Sequence, residues 1–585
     1  MCKSSNPSRP ANVANLTCEW IVHEAIRVLD TGREASINFT PKPPISFDNL
    51  KGKKMTFSRR DFIRTAGVAL GAVTLPSWVY DAHAATAQFI DVNKNALADA
   101  ALATAKKLGA SYADVRINRY RLEAVQTRER QVLNVSSGQN FGFGVRVLVK
   151  GTWGFSASPI LTADEVVRVT KEAVDIAKAN APYQRRKIEL VPTPKVMTSW
   201  KSSFERDPFT VPIEEKTAIL LKINEAALGV KGVSFVNSSM AWVNEQKFLA
   251  TSEGSRIEQY IIRGNPSFGV TAVDRATNDF QSVNTLREGQ AIGYEYMSKH
   301  DWVAEAKEAA EHAVMKLKAP SVQPGKYDLV LHPSHLFLTI HESVGHPTEL
   351  DRALLWEANY AGTSFLTPDK TGKLQFGSKI VNFVADRTQP LGLASVGYDD
   401  EAVPGQRWHL VKDGVFVDWQ TTRDLAPLVG RNRSYGCLHA DSWGSVPFPR
   451  MPNVSLEPAK DKVSQDDLVA GVEKGILIKG RGSYSIDQQR YNFQFGGQTF
   501  WEIRNGKVTG MLRDVGYQAR TTDFWGACDG LGGPETVEVP GSFNDGKGEP
   551  GQSNAVSHAC PPARFRQINV LNTASSPTAG QTEDH

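Results

Sequence analysis

The sequence predicts an α+β protein, with a mixed N-terminal α/β domain followed by a strand-rich C-terminal domain that carries a metal site. Three observations predict this. Helix-like and strand-like periodicities alternate through the first half of the chain. Hairpin pairs Asp-Gly and Asn-Gly, flanked by alternating residues, mark the second half. The run His341-Glu342-Ser343-Val344-Gly345-His346 places two imidazoles and a carboxylate within six residues. A chain of 585 residues with 41% apolar and 22% charged residues has room for several core-bearing units.

Residues 1–54 fit no part of a signal peptide, and translation is expected to begin at Met55. From Met55, Arg59-Arg60 precedes a moderately apolar stretch, about 65–80, and the small-residue pattern Ala82-His83-Ala84. This is the layout of a twin-arginine export signal over residues 55–84, with a periplasmic or otherwise exported destination. The apolar run is short and interrupted by Pro76, so no stable membrane anchor is expected. Residues 1–84 hold eleven Lys/Arg against seven Asp/Glu, an excess equal to the +4 of the whole chain. The remainder is neutral, with no basic stripe to engage nucleic acid. Of five cysteines, Cys437, Cys528 and Cys560 follow Met55, and an odd number leaves one thiol unpaired or bound to something else.

The first unit, residues 85–194, opens with an Ala-rich helix from Asn93 to Leu108. A strand from Tyr112, a hairpin around Lys150-Gly151 and a helix from Thr162 to about Lys178 follow. The middle unit, 195–320, holds a helix near Glu214–Leu228, several strands and a closing helix rich in Ala, Glu and Lys. Pro320, Pro324 and Gly325 mark a linker. The C-terminal unit, 321–572, has hairpin apices at Asp413-Gly414 and Asn505-Gly506, and residues 573–585 form a polar tail.

Within that unit, Tyr327–Leu331 reads as a strand, Pro333-Ser334 as a helix start, and His341 and Glu342 fall in the last helical turns. Residues five apart sit about 140° apart on a straight α-helix, so His341 and His346 could not share an ion there. Gly345 and Pro347 bracket His346, however, and a break or π-bulge at this point would bring the second imidazole back beside the first. Two neutral imidazoles suit Zn2+, and Glu342 is placed to take a proton from water activated by the metal. Without a metal, the pair would be ordinary histidines hydrogen-bonded near a helix end.

The stretch LHPSHLFLTIHESVGHPTELD resembles the HExxxH segment of the TldD/PmbA metallopeptidases. So do GFGVRVLVKGTWGFS, GYDDEAVPGQ, PRMPNVSLEP and RNGKVTG, in the same order. The resemblance implies a zinc peptidase acting on unfolded or exposed polypeptide, with His341 and His346 as ligands and Glu342 as catalytic base. It also implies a dimer, with a PmbA-like chain lacking the metal motif as the alternative partner. The third ligand does not carry over, because Asp545 stands where TldD-type chains have cysteine. Asp545 and Cys560 are therefore both candidates, with His558 and Cys528 behind them. A Cys528–Cys560 disulfide is the competing use of those thiols. The segment Arg431–Gly444 offers Arg, Tyr and His as oxyanion donors, or else a solvated loop around a packed Trp443. The Gly-rich runs FGGQ and GLGG lack the context of a phosphate loop. A non-catalytic partner subunit and a small-molecule amidase are the alternative functions.

Overall fold

The computed structural model describes residues 92–575. The N-terminal extension, the twin-arginine segment and most of the tail lie outside them. Helix α1 (Lys94–Lys107) is capped by the Asn93 side chain, which accepts from Ala96 N at 3.0 Å, and it buries Leu97, Ala98, Ala101 and Ala105 at helical spacing. Strands β1 (Tyr112–Arg128), β2 (Gln131–Val149) and β3 (Thr152–Ser158) follow, then α2 (Ala163–Asn180). The β2–β3 turn has both Lys150 and Gly151 at positive φ, +54° and +78°, the two-residue hairpin geometry expected there.

After β4 (Met197–Lys201) come α3 (Ile213–Leu228), β5 (Val233–Thr251), β6 (Arg256–Asp274), β7 (Asp279–Asn284) and α4 (Trp302–Lys318). Strands β1 to β7 form one sheet in the order β3-β2-β1-β5-β6-β4, with β7 also on β6. β1 opposes β5 from Asp114↔Thr251 to Arg128↔Asn237, so the first and middle units of the sequence share one continuous sheet. Strand alternation sorts its two faces. Val115, Ile117 and Val125 face α1–α4, whereas Arg116, Tyr120 and Leu122, of the other parity, face the C-terminal unit.

In that unit, β8 (Gly325–Leu331) runs into α5 (Pro333–Ile340). The short strands β9 (Phe383–Asp386), β10 (Arg407–Lys412) and β11 (Val415–Phe416) form a sheet with β14 (Asn453–Leu456), and β12 (Leu438–His439) pairs β13 (Phe448–Pro449). A second seven-stranded sheet joins β8 with β15 (Lys474–Ile486), β16 (Asn492–Arg504), β17 (Lys507–Leu512), β18 (Val515–Arg520), β19 (Cys528–Leu531) and β22 (Ala563–Asn572). Its order is β15-β8-β22-β18-β16-β17, with β19 on β22. A further β15–β16 pairing closes five of these strands on one another. Strands β20 (Gly541–Lys547) and β21 (Gln552–Ser557) make a separate two-stranded ribbon. The expected hairpin apices at Asp413-Gly414 and Asn505-Gly506 adopt positive φ at both residues. Every residue of α5 is buried, as an apolar helix in the middle of a core must be. Among the described residues, no helix is long and apolar enough to cross a membrane.

Candidate metal centre

Helix α5 ends at Ile340, and the chain continues as a π-helical turn over His341–Gly345 in which His346 N donates to His341 O. Five residues per hydrogen-bonded loop, in place of four, rotate His346 back over His341. The two rings lie with centroids 4.5 Å apart. Gly345 permits this because a Cβ there would meet Met451 Sδ at 2.5 Å. Among the described residues, His341, Glu342 and His346 form a group whose ligating atoms all lie within 4.8 Å of one another, and all three are buried.

Asp545 approaches the pair from the ribbon. Its Oδ1 lies 3.6 Å from His341 Nε2 and 3.5 Å from His346 Nε2. Ligands about 2.0–2.2 Å from one tetrahedral ion stand roughly 3.3–3.6 Å from each other, so the spacing fits a zinc ligand set. The far side of the carboxylate is held by Arg450, whose Nη2 donates to Oδ2 at 3.2 Å and also to the Asp545 carbonyl.

The outer nitrogens of both imidazoles are already engaged. His558 Nδ1 lies 2.8 Å from the Val454 carbonyl, which only accepts, so that nitrogen carries the proton and Nε2 is left to accept. His558 Nε2 lies 2.8 Å from His341 Nδ1, which therefore donates and leaves the His341 Nε2 lone pair facing Asp545. His346 Nδ1 lies 2.9 Å from Glu349 Oε2, the shorter of its two contacts and an acceptor, which favours the same tautomer there; the Arg352 Nη2 donor stands 3.0 Å from the same nitrogen. Glu349 is in turn paired with Arg352 and with Lys547 at 3.0 Å, all within the core.

Electrostatics agree with this assignment at His346 and His558, whereas at His341 the Asp545 and Glu342 carboxylates outweigh burial and raise the pKa. Burial, reinforced by Arg352, holds His346 well below its ordinary pKa, and burial with the nearby His341 brings His558 down to about 3. Burial opposes the charged form of Asp545, while the Arg450 guanidinium on its far side favours the ionised carboxylate. Two lone pairs and a carboxylate oxygen thus converge on one point, a donor set that calls for a cation.

The other candidates lie elsewhere. Cys560 is fully buried, with Sγ 3.9 Å from the Pro333 carbonyl at the opposite end of α5, and burial raises its pKa well above the ordinary value. Cys528 packs on β19, and Cys437, Cys528 and Cys560 are all free thiols, so the disulfide alternative does not form. His558 sits behind His341 and holds its tautomer. In the Arg431–Gly444 segment, Tyr435 bonds Asp418 at 2.8 Å and Trp443 Nε1 donates to Asn140 at 2.9 Å, so its polar groups are used away from the histidine pair.

Known proteins share this architecture. Models of PmbA/TldA metallopeptidase domain 1, central domain and C-terminal domain match residues 113–177, 206–317 and 324–572. The chain belongs to the PmbA/TldA metallopeptidase family. A metalloprotease from Methanocaldococcus jannaschii is 28% identical over 444 residues, 75% of this chain and 93% of that protein. A zinc metalloprotease TldD homolog from Saccharolobus solfataricus is 23% identical, covering 80% of this chain and 98% of its own. In fold, TldE from Thermococcus kodakarensis superposes with a TM-score of 0.63 at 15% identity, over 81% of this chain and all of the other. A putative modulator of DNA gyrase from Thermotoga maritima gives 0.65 at 16%, over 82% and all.

This PmbA/TldA member is a metallopeptidase, and its C-terminal domain contains all of the residues placed around the histidine pair. Sequence reasoning missed Glu349, Arg352, Arg450, Arg490 and Lys547. Two of them left a signal. Glu349 follows His346 at helical i+3 spacing, and Lys547 shares the buried strand face of Asp545. Arg450 and Arg490 come from loops and hairpins remote in sequence.

Proposed function

We propose that this metallopeptidase is an exported zinc enzyme that hydrolyses peptide bonds in unfolded or exposed polypeptide segments. His341, His346 and Asp545 are its ligands, and Glu342 is its general base. The observation that carries the reading is the convergence of two Nε2 lone pairs and the Asp545 Oδ1 at 3.5–3.6 Å, with each outer imidazole nitrogen already committed. Zinc bound there would polarise the scissile carbonyl and lower the pKa of water toward neutrality. The protein's own part is to hold both imidazoles in one tautomer, to exclude water by burial, and to move a proton. The Glu342 carboxylate accepts the proton of the attacking water and returns it to the leaving amine nitrogen. The two-stranded ribbon that carries Asp545 pairs with no other strand among the described residues, which favours an extended peptide as substrate over a small amide.

Replacing Glu342 by Gln keeps the ligand set and removes the proton acceptor. Zinc content of the purified protein should stay at that of the unaltered chain while cleavage of denatured casein disappears, and full turnover by the variant would refute the role. A second reading, a non-catalytic subunit of a two-chain TldD/TldE-type assembly, draws on the fold likeness to TldE. Absence of zinc from the purified protein would favour it over the enzyme.

A further inference from the structure

Arg490 is a partly buried cation beside the candidate base, and nothing in the metal set requires it. It lies in the loop between β15 and β16, with φ +64°, a backbone conformation that non-glycine residues rarely hold without external support. That support is extensive. The Asp487 carboxylate accepts from Tyr491 N at 2.8 Å and from Asn492 N at 3.0 Å, and Thr521 Oγ1 donates to the Arg490 carbonyl at 2.9 Å. The loop is also stitched to the segment that follows the metal motif. Thr363 N donates to Gln488 O and Phe365 N to Gln489 O, both at 2.8 Å. The side chain is therefore aimed before any substrate arrives.

It is aimed at Glu342. Arg490 Nη1 lies 2.5 Å from Glu342 Oε2, and Nη2 donates to the Ala361 carbonyl at 3.0 Å. Its Nε is buried and has no hydrogen-bond partner among the described residues. The Ala361 carbonyl also accepts from Arg352, which pairs with Glu349 behind His346, so one carbonyl ties the Arg490 side chain to the ligand support. A guanidinium has five donors in a rigid fork, and here several remain unused next to the reacting groups. In the Arg431–Gly444 segment, Arg431 pairs with Asp418 and Arg433 lies over the Tyr435 ring.

Resting on the proposed peptidase reading, the geometry points to Arg490 as the catalytic residue that stabilises the oxyanion of the tetrahedral intermediate, exchanging Glu342 for the substrate oxygen as the proton moves. The water proton passes to Glu342 Oε2 and the water oxygen bonds the carbonyl carbon. The carbonyl π pair moves onto the carbonyl oxygen. Protonation of Glu342 removes the negative partner of Arg490 at the moment that oxygen becomes negative, so the guanidinium charge is balanced before and after the step. On collapse the C–N bond breaks, its electron pair goes to nitrogen, and Glu342 supplies the proton.

The test uses the zinc-loaded full chain. A cleavage site in denatured β-casein is mapped, the spanning peptide serves as substrate, and its phosphinic isostere serves as a probe of the tetrahedral state. Arg490→Ala and Arg490→Lys should lower kcat by about 10²–10³ with KM within about threefold, the loss typical of one oxyanion donor. Affinity for the phosphinic isostere should fall in parallel, zinc content should not change, and guanidinium in solution should partly restore Arg490→Ala but not Glu342→Gln. Retained or increased kcat, or a loss explained by reduced zinc content, would overturn the assignment and leave Arg490 as a counter-ion. If the unaltered protein cleaves nothing, the peptidase reading itself has failed; if it cleaves and Arg490→Ala cleaves equally well, only the oxyanion role has failed.

Discussion

Removing Asp545 tests the ligand set most directly, because the structure separates its metal role from its structural one. In Asp545→Ala, Arg450 loses the 3.2 Å contact to Oδ2 but keeps the backbone carbonyl of residue 545 and the Gln552 carbonyl, at 2.9 Å, so the cation is not stranded. The ribbon β20–β21 should therefore persist, and the cost should appear in zinc affinity. Outer partners of metal-binding histidines are typically worth 10–100-fold in affinity. His558, hydrogen-bonded to His341 Nδ1 at 2.8 Å, is such a partner, and His558→Ala should fall in that range. A ligand that faces the ion contributes directly to binding. Asp545→Ala should lose more than 100-fold, or more than about 2.8 kcal/mol at 1.4 kcal/mol per tenfold. Cys560→Ser should change affinity by less than about threefold, because the thiol faces the Pro333 carbonyl and burial keeps it protonated. Competition between each zinc-free protein and a chromogenic chelator, with circular dichroism as a check on folding, gives the order. Asp545 is not a zinc ligand if Asp545→Ala stays within about threefold of the unaltered protein, or if Cys560→Ser loses more.

Two further outcomes follow from charges outside the metal centre. Burial, opposed by Arg481 but reinforced by Glu305, raises the Glu288 carboxyl from 4.5 to about 7, so the folded protein binds more protons than the unfolded chain between those values. Stability should fall as pH rises through that window, by at most about 3 kcal/mol; Glu288→Gln should show a smaller drop in Tm between pH 5 and pH 8, and equal drops in both proteins would refute this. If the paired arginines direct export, changing both Arg59 and Arg60 to Lys should leave the protein in the cytoplasmic fraction, and undiminished export would count against the twin-arginine assignment.

Much of the architecture was legible in the residues alone. Asn93 capping α1, the Ala spacing on its inner face, and the dipeptides Lys150-Gly151, Asp413-Gly414 and Asn505-Gly506 act over a few residues, where local propensity and turn geometry decide the outcome. The same holds for the metal motif: Gly345 and Pro347 signalled that the helix would not run straight through His346, and the π-turn over His341–Gly345 is the form that departure takes.

Other features depended on pairing and packing between distant segments. The first and middle units, which the sequence separates near Pro194, share one sheet because the alternating faces of β1 and β5 bury against the same helices, and no local signal records that register. The choice between Asp545 and Cys560 was equally open in the sequence, since both residue types bind zinc. It turns on which strand the fold brings to the histidines. β20 delivers Asp545 Oδ1 to within 3.6 Å of both Nε2 atoms, while Cys560 packs against the start of α5. The helix, the two imidazoles, the adjacent carboxylate and the break that lets them meet were all legible in the residues, because they lie within one continuous stretch of chain. Folding of distant segments placed a carboxylate beside the two imidazoles, a partner behind each ring and a cation against Glu342. Asp545, His558 and Arg490 lie 148 to 217 residues or so from the motif, and they reach it through sheet register and hairpin placement rather than through any short-range pattern.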